Sequence, residues 1–547
     1  MGTIIETKIE KFDGGIVNDP RDPRRNTARV VSNFDILTFP RKMSPYRQSE
    51  SGDDAASTSR KRNFAVALRT GVTYSLYGLG VVSGQVYAEV LRKDISSGSE
   101  LDSATWTAPT ANASASGTPN FNLWVYYRRT NLIYGARDAN NAATYAGTHI
   151  FAFSPSGTAF ADTHQALTHT HIGQGVVHPK DDILYIPYYN NAGASGARSF
   201  IASNSAGTWT NAALTLPDHL IPTSIAPYGN FLAIGCAAAN GIENSVVYLW
   251  DRNSSLTLLS ESIDWGTGSL MILEEIDGEL IGISQKGGTI TSFGGLPNSI
   301  SSHKDRVYFR RLVGNKAKKF FQLDSDRAGG VNTTSLPLYK QKVDNRLYFQ
   351  MIIQFNGSAR DGVWSIGRSS SEEQFALVHE RTSNNNTALA TGDTLVGFIF
   401  IGDFLFQAYT SSGTYSVNKT IETADTNFSA NSIYESKPFD GSIHGFDNTY
   451  YKDLMEAAVM TEPIVSLGQV VLDYQVDENI GTSTWTRIFI NSTNDSISHV
   501  ANNVESSGAQ LAKNYKEIAF RILSTGRAEI TGLIFREKVT GRKYITD

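Results

Sequence analysis

The side chains best suited to chemistry lie between residues 162 and 182, in the stretch DTHQALTHTHIGQGVVHPKDD. Alternate residues of a strand face the same side of a sheet, so a His-x-His pair can present two imidazoles together, as some zinc sites require. Aspartates at both ends of the stretch could complete such a site. Loops rich in Thr and His are also often solvated turns, and this alternative stays open. The candidate metal ligands are His164, His169, His171 and His178.

Other candidate sites are less specific. Cys236 ends the apolar segment LAIGCAAANG with no basic residue near it in sequence, which favours a buried structural thiol over a nucleophile. SNSAGTWT (203–210) is similar to the Asp-box turns of sialidase-like propellers, but Ser205 stands where the Asp belongs. Glycoside hydrolysis needs two carboxylates that face each other across a cleft, and EEIDGE (274–279) is more simply a solvated hairpin. We therefore expect no enzyme, no catalytic residue and no cofactor.

The composition indicates which elements position these residues. The chain has 547 residues, 40% of them apolar, with 27 Phe, 24 Tyr and 47 Gly. Aromatic side chains suit a pleated, half-buried surface and glycines supply turns, so the sequence predicts a mainly β protein. The best helical candidate is the short segment YYKDLMEAAVM (450–460). A net charge of −5 argues against a protein that coats nucleic acid, and the single cysteine excludes an internal disulfide framework.

The middle of the chain repeats a pattern in which a turn residue or charge precedes a short apolar strand. Examples are TNLIYGA, DDILYIP, GNFLAIG, DGELIGI, KDRVYFR, DNRLYFQ and GDFLFQAY. The anchors Leu132, Leu184, Leu232, Leu280, Val307, Leu347 and Leu405 give steps of 52, 48, 48, 27, 40 and 58 residues. Steps of roughly 40–50 residues are typical of propeller blades, which stack because one blade cannot bury both of its faces. The step of 27 is too short for a blade, so the blade number stays open, and a set of β-sandwiches is the alternative.

These patterns divide the chain into three regions. Residues 1–62 are rich in charges and turn residues, and we predict an extended N-terminal arm and linker. Residues 63–429 are predicted to form a β-propeller-like domain. Residues 430–547 contain alternating segments such as LGQVVLDYQV and AEITGLIFREKV, which predict a C-terminal antiparallel β-sandwich-like domain.

The N-terminal region carries the most specific pattern. A short strand is followed by FDGGIVNDPRDP, by NFDIL and then by PRKMSPYR. This order of a Gly-Gly turn, a Pro/Asp stretch, an apolar segment with an Asn and a basic end resembles the start of the podovirus tail tubular proteins of the B type, the nozzle proteins of short-tailed phages. The resemblance covers about forty residues and rests on Gly14, Gly15, Ile16, Asp19, Pro20, Asn33, Pro40, Arg41 and Lys42.

The resemblance implies a structural virion protein of a phage tail. Such a protein is a ring subunit, usually in six copies, that forms the distal DNA-ejection channel and docks to a tail adaptor protein and tail fibres. Genomic DNA would pass through the channel non-specifically. We expect synthesis in the host cytoplasm and assembly into the virion. With no run of 18 apolar residues in the chain, no membrane span is expected.

An arm without its own core is stable when other chains supply pairing strands and apolar pockets, so the N-terminal region is the expected site of assembly. Its expected assembly residues are Gly14, Gly15, Asp19, Pro20, Arg21, Arg24, Arg25, Arg29, Phe34, Arg41 and Lys42. The alternative of a different class is a receptor- or glycan-binding propeller of a tail, which could also degrade glycans. A cellular scaffold propeller is a third hypothesis. Glycan binding by the purified protein would favour the second hypothesis over the first.

Overall fold

The computed structural model describes residues 3–16, 26–39, 41–46, 49–51, 59–67, 74–82, 87–95, 115–116, 119–137, 149–156, 160–169, 171–190, 199–238, 243–253, 262–286, 306–324, 340–355, 358–382, 394–402, 404–411, 414–420, 432–447, 449–465, 468–492 and 499–542. Within these ranges the elements are β-strands and two short 3-10 helices, Ser442–His444 and Asp477–Asn479. The mainly β fold predicted from the sequence is confirmed. No helix in these ranges has the length and apolar character needed to cross a membrane.

The chain divides into two compact units. The first contains Met1–Ser49, Trp364–Ala388 and Thr420–Asp547, and the second contains Glu50–Val363 and Leu389–Lys419. The first unit begins with strands β1 (Ile4–Ile9), β2 (Ala28–Ser32), β3 (Phe34–Asp35) and β4 (Ser44–Pro45). Successive residues of β1 alternate between exposed and buried, because neighbouring side chains of a strand point to opposite faces. Side chains between and within these strands are fully buried, namely Phe12, Ile16, Val30, Val31, Phe34, Ile36 and Met43.

The second unit is built from consecutive antiparallel sheets, which we call blades. The strand β5 (Ser49–Ser51) comes before them. The first three blades contain β6 (Ser59–Ala67), β7 (Tyr74–Val82), β8 (Tyr87–Ile95) and β9 (Ala115–Ser116); β10 (Pro119–Tyr127), β11 (Leu132–Arg137), β12 (His149–Phe153) and β13 (Phe160–Ala166); and β14 (His171–Ile172), β15 (Val176–His178), β16 (Ile183–Tyr189), β17 (Ser199–Ser205) and β18 (Thr208–Leu216).

The next two blades contain β19 (Leu220–Tyr228), β20 (Phe231–Ala238), β21 (Ser245–Trp250) and β22 (Ser262–Gly266); and β23 (Ser269–Ile276), β24 (Glu279–Lys286), β25 (Arg306–Val313) and β26 (Lys316–Asp324). The sixth blade contains β27 (Lys340–Val343), β28 (Arg346–Phe355) and β29 (Ser358–Gly367), after which β30 (Ala376–Thr382) belongs to the first unit. The seventh blade contains β31 (Thr394–Ile401), β32 (Phe404–Ser411) and β33 (Thr414–Thr420), and β5 is its fourth strand.

Apolar clusters join each blade to the next around a closed ring. Phe64 of the first blade packs with Phe406 of the seventh, which closes the circle. Similar apolar clusters lie between each pair of neighbouring blades from the first to the fifth. Another cluster lies between the sixth and seventh blades. The rings of Phe309 and Phe349, 6.2 Å apart, connect the fifth and sixth blades. The second unit is therefore a seven-bladed β-propeller, and the strand contributed from before the first blade completes the last one.

The repeat noticed in the sequence is the turn between the first and second strands of a blade. One residue of this turn has a φ between 50° and 57° in six blades, at Asn131, Asp182, Gly229, Asp277, Asp344 and Gly402. Asn, Asp and Gly tolerate this left-handed conformation best, which explains the repeated choice of residue types. Six of the seven anchors lie at the start of second strands.

The exception is Val307, on the third strand of the fifth blade. The step of 27 residues from Leu280 to Val307 therefore lies within one blade.

The remaining strands of the first unit are β34 (Ser432–Ser436), β35 (Tyr450–Thr461), β36 (Gln469–Val476), β37 (Thr486–Asn491), β38 (His499–Asn502), β39 (Ile518–Thr525) and β40 (Ile530–Arg542). One sheet has the order β1-β40-β35-β38, and β30-β2-β34-β39-β36-β37 are consecutive neighbours in another. In the first sheet Ile5 lies opposite Glu537, and in the second Val31 lies opposite Tyr434. Strands from both ends of the chain thus share their sheets.

This arrangement corrects three expectations. Residues 1–62 were expected as an extended arm and linker, but most of the apolar side chains described up to residue 46 are buried, and β1 and β2 pair with residues 533–538 and 433–436 of the same chain. The propeller expected over 63–429 occupies 50–363 and 389–419, whereas 364–388 and 420–429 belong to the first unit. The helical candidate 450–460 is strand β35, whose register shifts at three places. Each shift breaks the strict alternation expected of a strand, so apolar residues fall at helix-like spacings.

Candidate functional site

The four candidate histidines lie in the second and third blades without forming one cluster. His164 lies beside Trp209 and Tyr134, with ring centroids 6.4 and 5.5 Å away, and burial lowers its pKa. His171 stacks on Tyr189 at 6.0 Å. His169 is 2% exposed, with Nδ1 2.8 Å from the carbonyl oxygen of Leu167, and burial lowers its pKa to about 4.

His178 belongs to a different set of contacts, which ties the third blade to the fourth. Its Nε2 is 2.9 Å from Nη1 of Arg252, and its Nδ1 accepts a hydrogen bond from the Lys180 N–H at 3.3 Å. Arg252 in turn donates to Asp181 at 2.6 Å, and the Tyr185 hydroxyl donates to the same carboxylate at 3.0 Å. Burial and the Arg252 charge lower the pKa of His178. Within the described ranges no three His, Cys, Asp or Glu side chains are grouped as metal ligands would be.

Two potential nucleophiles are enclosed in cores. Cys236 is fully buried, and burial raises the pKa of its thiol, as expected for a structural cysteine. Sequence analysis missed a Ser-His pair in the first unit, where Ser32 Oγ is 2.8 Å from His379 Nδ1. Both residues are at most 3% exposed, and the Trp364 ring lies 4.7 Å from the imidazole. No substrate can reach such a pair in this conformation, so its role is a buried hydrogen bond.

A buried lysine joins the inner strands of three blades. Lys340, at the start of β27, is 7% exposed, and its ammonium donates to the Ile225 carbonyl at 2.9 Å and to the Leu273 carbonyl. It also pairs with the Glu274 carboxylate at 2.7 Å. The Gln174 amide of the third blade donates to the Lys340 carbonyl at 3.2 Å. The predicted solvated hairpin at 274–279 is thus only partly solvated, because Glu274 is 13% exposed and paired.

The expected assembly residues fall into three groups. Gly14, Gly15, Arg29 and Phe34 belong to the core of the first unit: the Gly14 N–H donates to the Asn26 carbonyl at 3.1 Å, and Arg29 pairs with Glu435 at 2.8 Å. The second group, Arg41 and Lys42, lies at a surface groove. The third group lies outside the described residues and comprises Asp19, Pro20, Arg21, Arg24 and Arg25.

The groove is formed where the N-terminal residues meet the ends of β35 and β40 within the first unit, and we call it the N-terminal groove. Its volume is about 940 Å³, and it is open to solvent on one side. Four cations and two carboxylates line it, and three of the cations are paired within the chain: Lys8 with Glu10, Lys11 with Glu373 and Asp13, and Lys42 with Glu529. The lining residues are Lys8, Ile9, Glu10, Lys11, Asn26, Phe39, Arg41, Lys42, Met460, Glu462 and Thr531.

An exposed aromatic residue gives this groove an apolar anchor. Phe39 is 55% exposed, and the Lys42 ammonium lies over its ring, 5.1 Å from the centroid. Lys42 also pairs with Glu529 at 2.8 Å, which fixes it beside the ring. Arg41 is exposed and forms no ion pair with any residue of the described ranges. An exposed aromatic ring near an exposed arginine is suited to bind an apolar side chain of another molecule.

Comparison with known proteins finds no matching family model and no matching curated protein. Among solved structures, the chain is similar to the COPII outer coat vertex on membranes (12% identity, TM-score 0.31, 67% of this chain and 99% of that chain). It is also similar to the β-propeller domain of the trilobed protease from Pyrococcus furiosus (9%, 0.31, 53% and 75%). A third similar structure is Trypanosoma rangeli sialidase with 2,3-difluorosialic acid (9%, 0.32, 100% and 97%). Likenesses at this level assign no function to the chain.

Proposed function

We propose that this protein is a structural subunit of a phage tail, a nozzle or tail-hub ring that forms the distal DNA-ejection channel. The observation that carries the proposal is the N-terminal groove, a surface that exposes the aromatic Phe39 and the cationic Arg41. It is built by the same N-terminal residues that resemble the tail tubular proteins of the B type. Arg41 and Lys42 belong to both the resemblance and the groove. An adaptor ring and tail fibres are the further partners of this proposal.

We propose that the DNA channel lies between the subunits of a ring.

Electron microscopy of the negatively stained full-length protein tests this function. We expect rings with a central hole wide enough for duplex DNA. Deletion of the N-terminal residues is unsuitable as a control, because it would remove buried core side chains such as Phe12 and Val30. Separate particles that bind glycans on an array would instead support the receptor-binding alternative and contradict the proposal.

A further inference from the structure

We propose that the hairpin of β25 and β26 in the fifth blade contacts the phosphate backbone of duplex DNA. This proposal rests on the proposed function, because it names a surface that faces the ejected DNA. Residues 306–323 form most of this hairpin and contain six cations and no Asp or Glu, although the whole chain has a net charge of −5. The cations are Arg306, Arg310, Arg311, Lys316, Lys318 and Lys319. We call residues 306–323 the cationic hairpin.

The register of the cationic hairpin places like charges directly opposite each other. Arg310 lies opposite Lys319, and Arg311 lies opposite Lys318 in the neighbouring strand. Like charges in such positions destabilise a sheet, so both pairs weaken the hairpin when no other charge is near. Glu279 pairs with Arg311 at 3.0 Å, which relieves part of this repulsion. A bound phosphate would relieve the rest, because an anion near both members of a pair attracts each of them.

The lysines of the cationic hairpin are not neutralised by the protein itself. All three are exposed, and none forms an ion pair with a residue of the described ranges. They are Lys316, Lys318 and Lys319. Lys319 donates to the neutral Gln322 side chain at 2.9 Å, and its ammonium lies 5.7 Å from the centroid of the Tyr308 ring. Neither contact removes a positive charge, so three ammonium groups are available to an external anion.

The arginines of the hairpin are held by the protein. Arg310 is 7% exposed, and its guanidinium donates to the Thr267 carbonyl at 3.0 Å and lies 4.7 Å from the centroid of the Tyr308 ring. Arg306 lies opposite Asp324 in the neighbouring strand. The groups that would bind an anion are therefore the lysines, and the arginines add to the positive charge around them.

The chemistry of these lysines fits the phosphates of DNA. A lysine ammonium on its long, flexible stem binds a phosphate as a point charge. Phosphate contacts carry no sequence information, as a channel that passes a whole genome requires. A few such contacts bind weakly at physiological salt, so the duplex would still slide past the hairpin.

Charge reversal at the three lysines tests the contact. Strand β26 is the edge of its sheet, where lysines also prevent pairing with strands of other molecules. The triple variant K316E/K318E/K319E keeps this edge charged but repels phosphate, so it separates the two roles. The matched control is R128E/K180E/K513E, which changes the net charge equally at three exposed residues elsewhere in the chain.

Fluorescence anisotropy of a short labelled DNA duplex measures binding by the full-length protein. For the unaltered protein we expect a plot of log affinity against log salt concentration to have a slope of about −3, because each neutralised phosphate contributes about −0.9. The triple variant should bind about tenfold more weakly or worse, and the control should change the affinity by less than about threefold. The single variants K316Q and K318Q should each reduce the slope by about 1, a measurement that does not depend on the folding of the triple variant.

Equal losses of affinity in the triple variant and its control would overturn this inference. Tighter binding of polyglutamate than of DNA would also overturn it and would indicate an acidic protein as the partner. Absence of DNA binding in preparations that still form rings would overturn this inference and leave the proposed function standing. Absence of both DNA binding and rings would overturn both. DNA binding that the triple variant loses, in preparations without rings, would support the contact and contradict the ring.

Discussion

At the scale of single residues, two neighbouring ion pairs of the propeller allow a matched comparison. Lys340 and Lys342 both lie on β27 and pair with the adjacent carboxylates Glu274 and Glu275, each at 2.7 Å. The first pair has side chains that are 7% and 13% exposed, whereas the second pair has side chains that are 34% and 26% exposed. Removing one partner of a buried pair leaves an uncompensated charge, whereas an exposed charge stays hydrated.

We predict that Lys340→Met lowers the free energy of unfolding of the propeller by about 3–5 kcal/mol, because Glu274 and two backbone carbonyls lose their partner. Lys342→Met is the control and is expected to change the free energy of unfolding by less than about 1 kcal/mol. Urea unfolding followed by tryptophan fluorescence measures both. If the two substitutions lowered the free energy of unfolding equally, the buried Lys340 ammonium would not stabilise the contact between blades.

A second prediction concerns pH. The folded-state pKa of His169 is about 4, below the usual value of 6.5, because burial disfavours the charged imidazole. The unfolded chain then binds the extra proton more readily, so this contribution to stability is complete above pH 6.5 and is lost as pH falls toward 4. Replacing His169 with Gln should reduce the loss of unfolding free energy between pH 6.5 and 5 by about 2 kcal/mol. His219→Gln, at a side chain that is 60% exposed, is the control. An unchanged pH slope in the His169 variant would contradict the assignment.

At the scale of elements, the blades could be predicted and the first unit could not. The second to seventh blades repeat a local signal, an Asn, Asp or Gly at a positive φ before an apolar strand, and a local signal is visible in the sequence. The pairing of β1 with β40 and of β2 with β34 instead joins residues more than 400 positions apart, and no local pattern reports it. The strand at 450–460 was missed because its register shifts disturb the period of two.

The same limits apply to the candidate site. Arg41 and Lys42 were identified from the sequence because they carry the resemblance, and Phe39 lies beside them in sequence. Met460 and Thr531 join them only through long-range pairing, such as the bridge between Met43 and Ile530.

The contact between the fourth and fifth blades supplies a third prediction. A Cβ atom at Gly282 of β24 would lie 2.6 Å from Cε2 of the fully buried Trp265 of β22. Gly282→Ala should therefore force the indole to move, lower the free energy of unfolding by about 1–3 kcal/mol and change the near-ultraviolet circular dichroism of tryptophan. Gly541→Ala, where a Cβ atom would have nothing within 4 Å, is expected to change neither. If Gly282→Ala left the dichroism signal and the stability unaltered, the proposed close packing of these blades would be refuted.

At the scale of the whole molecule, the two ends of the chain have a shared role. Residues near both termini form the first unit, and the propeller is the segment between them, interrupted once by 364–388. The N-terminal groove belongs to the first unit, so we propose that this unit carries contacts between subunits.

The mass distribution of the full-length protein in dilute solution tests the central claim, assembly into a ring, most directly. One chain has a mass of 59.7 kDa. We predict that mass photometry at rising concentrations shows a second, discrete species at a fixed multiple of this mass, with few intermediate sizes, because a ring gains its last contact only on closure. A single species of one chain at every concentration would contradict the account.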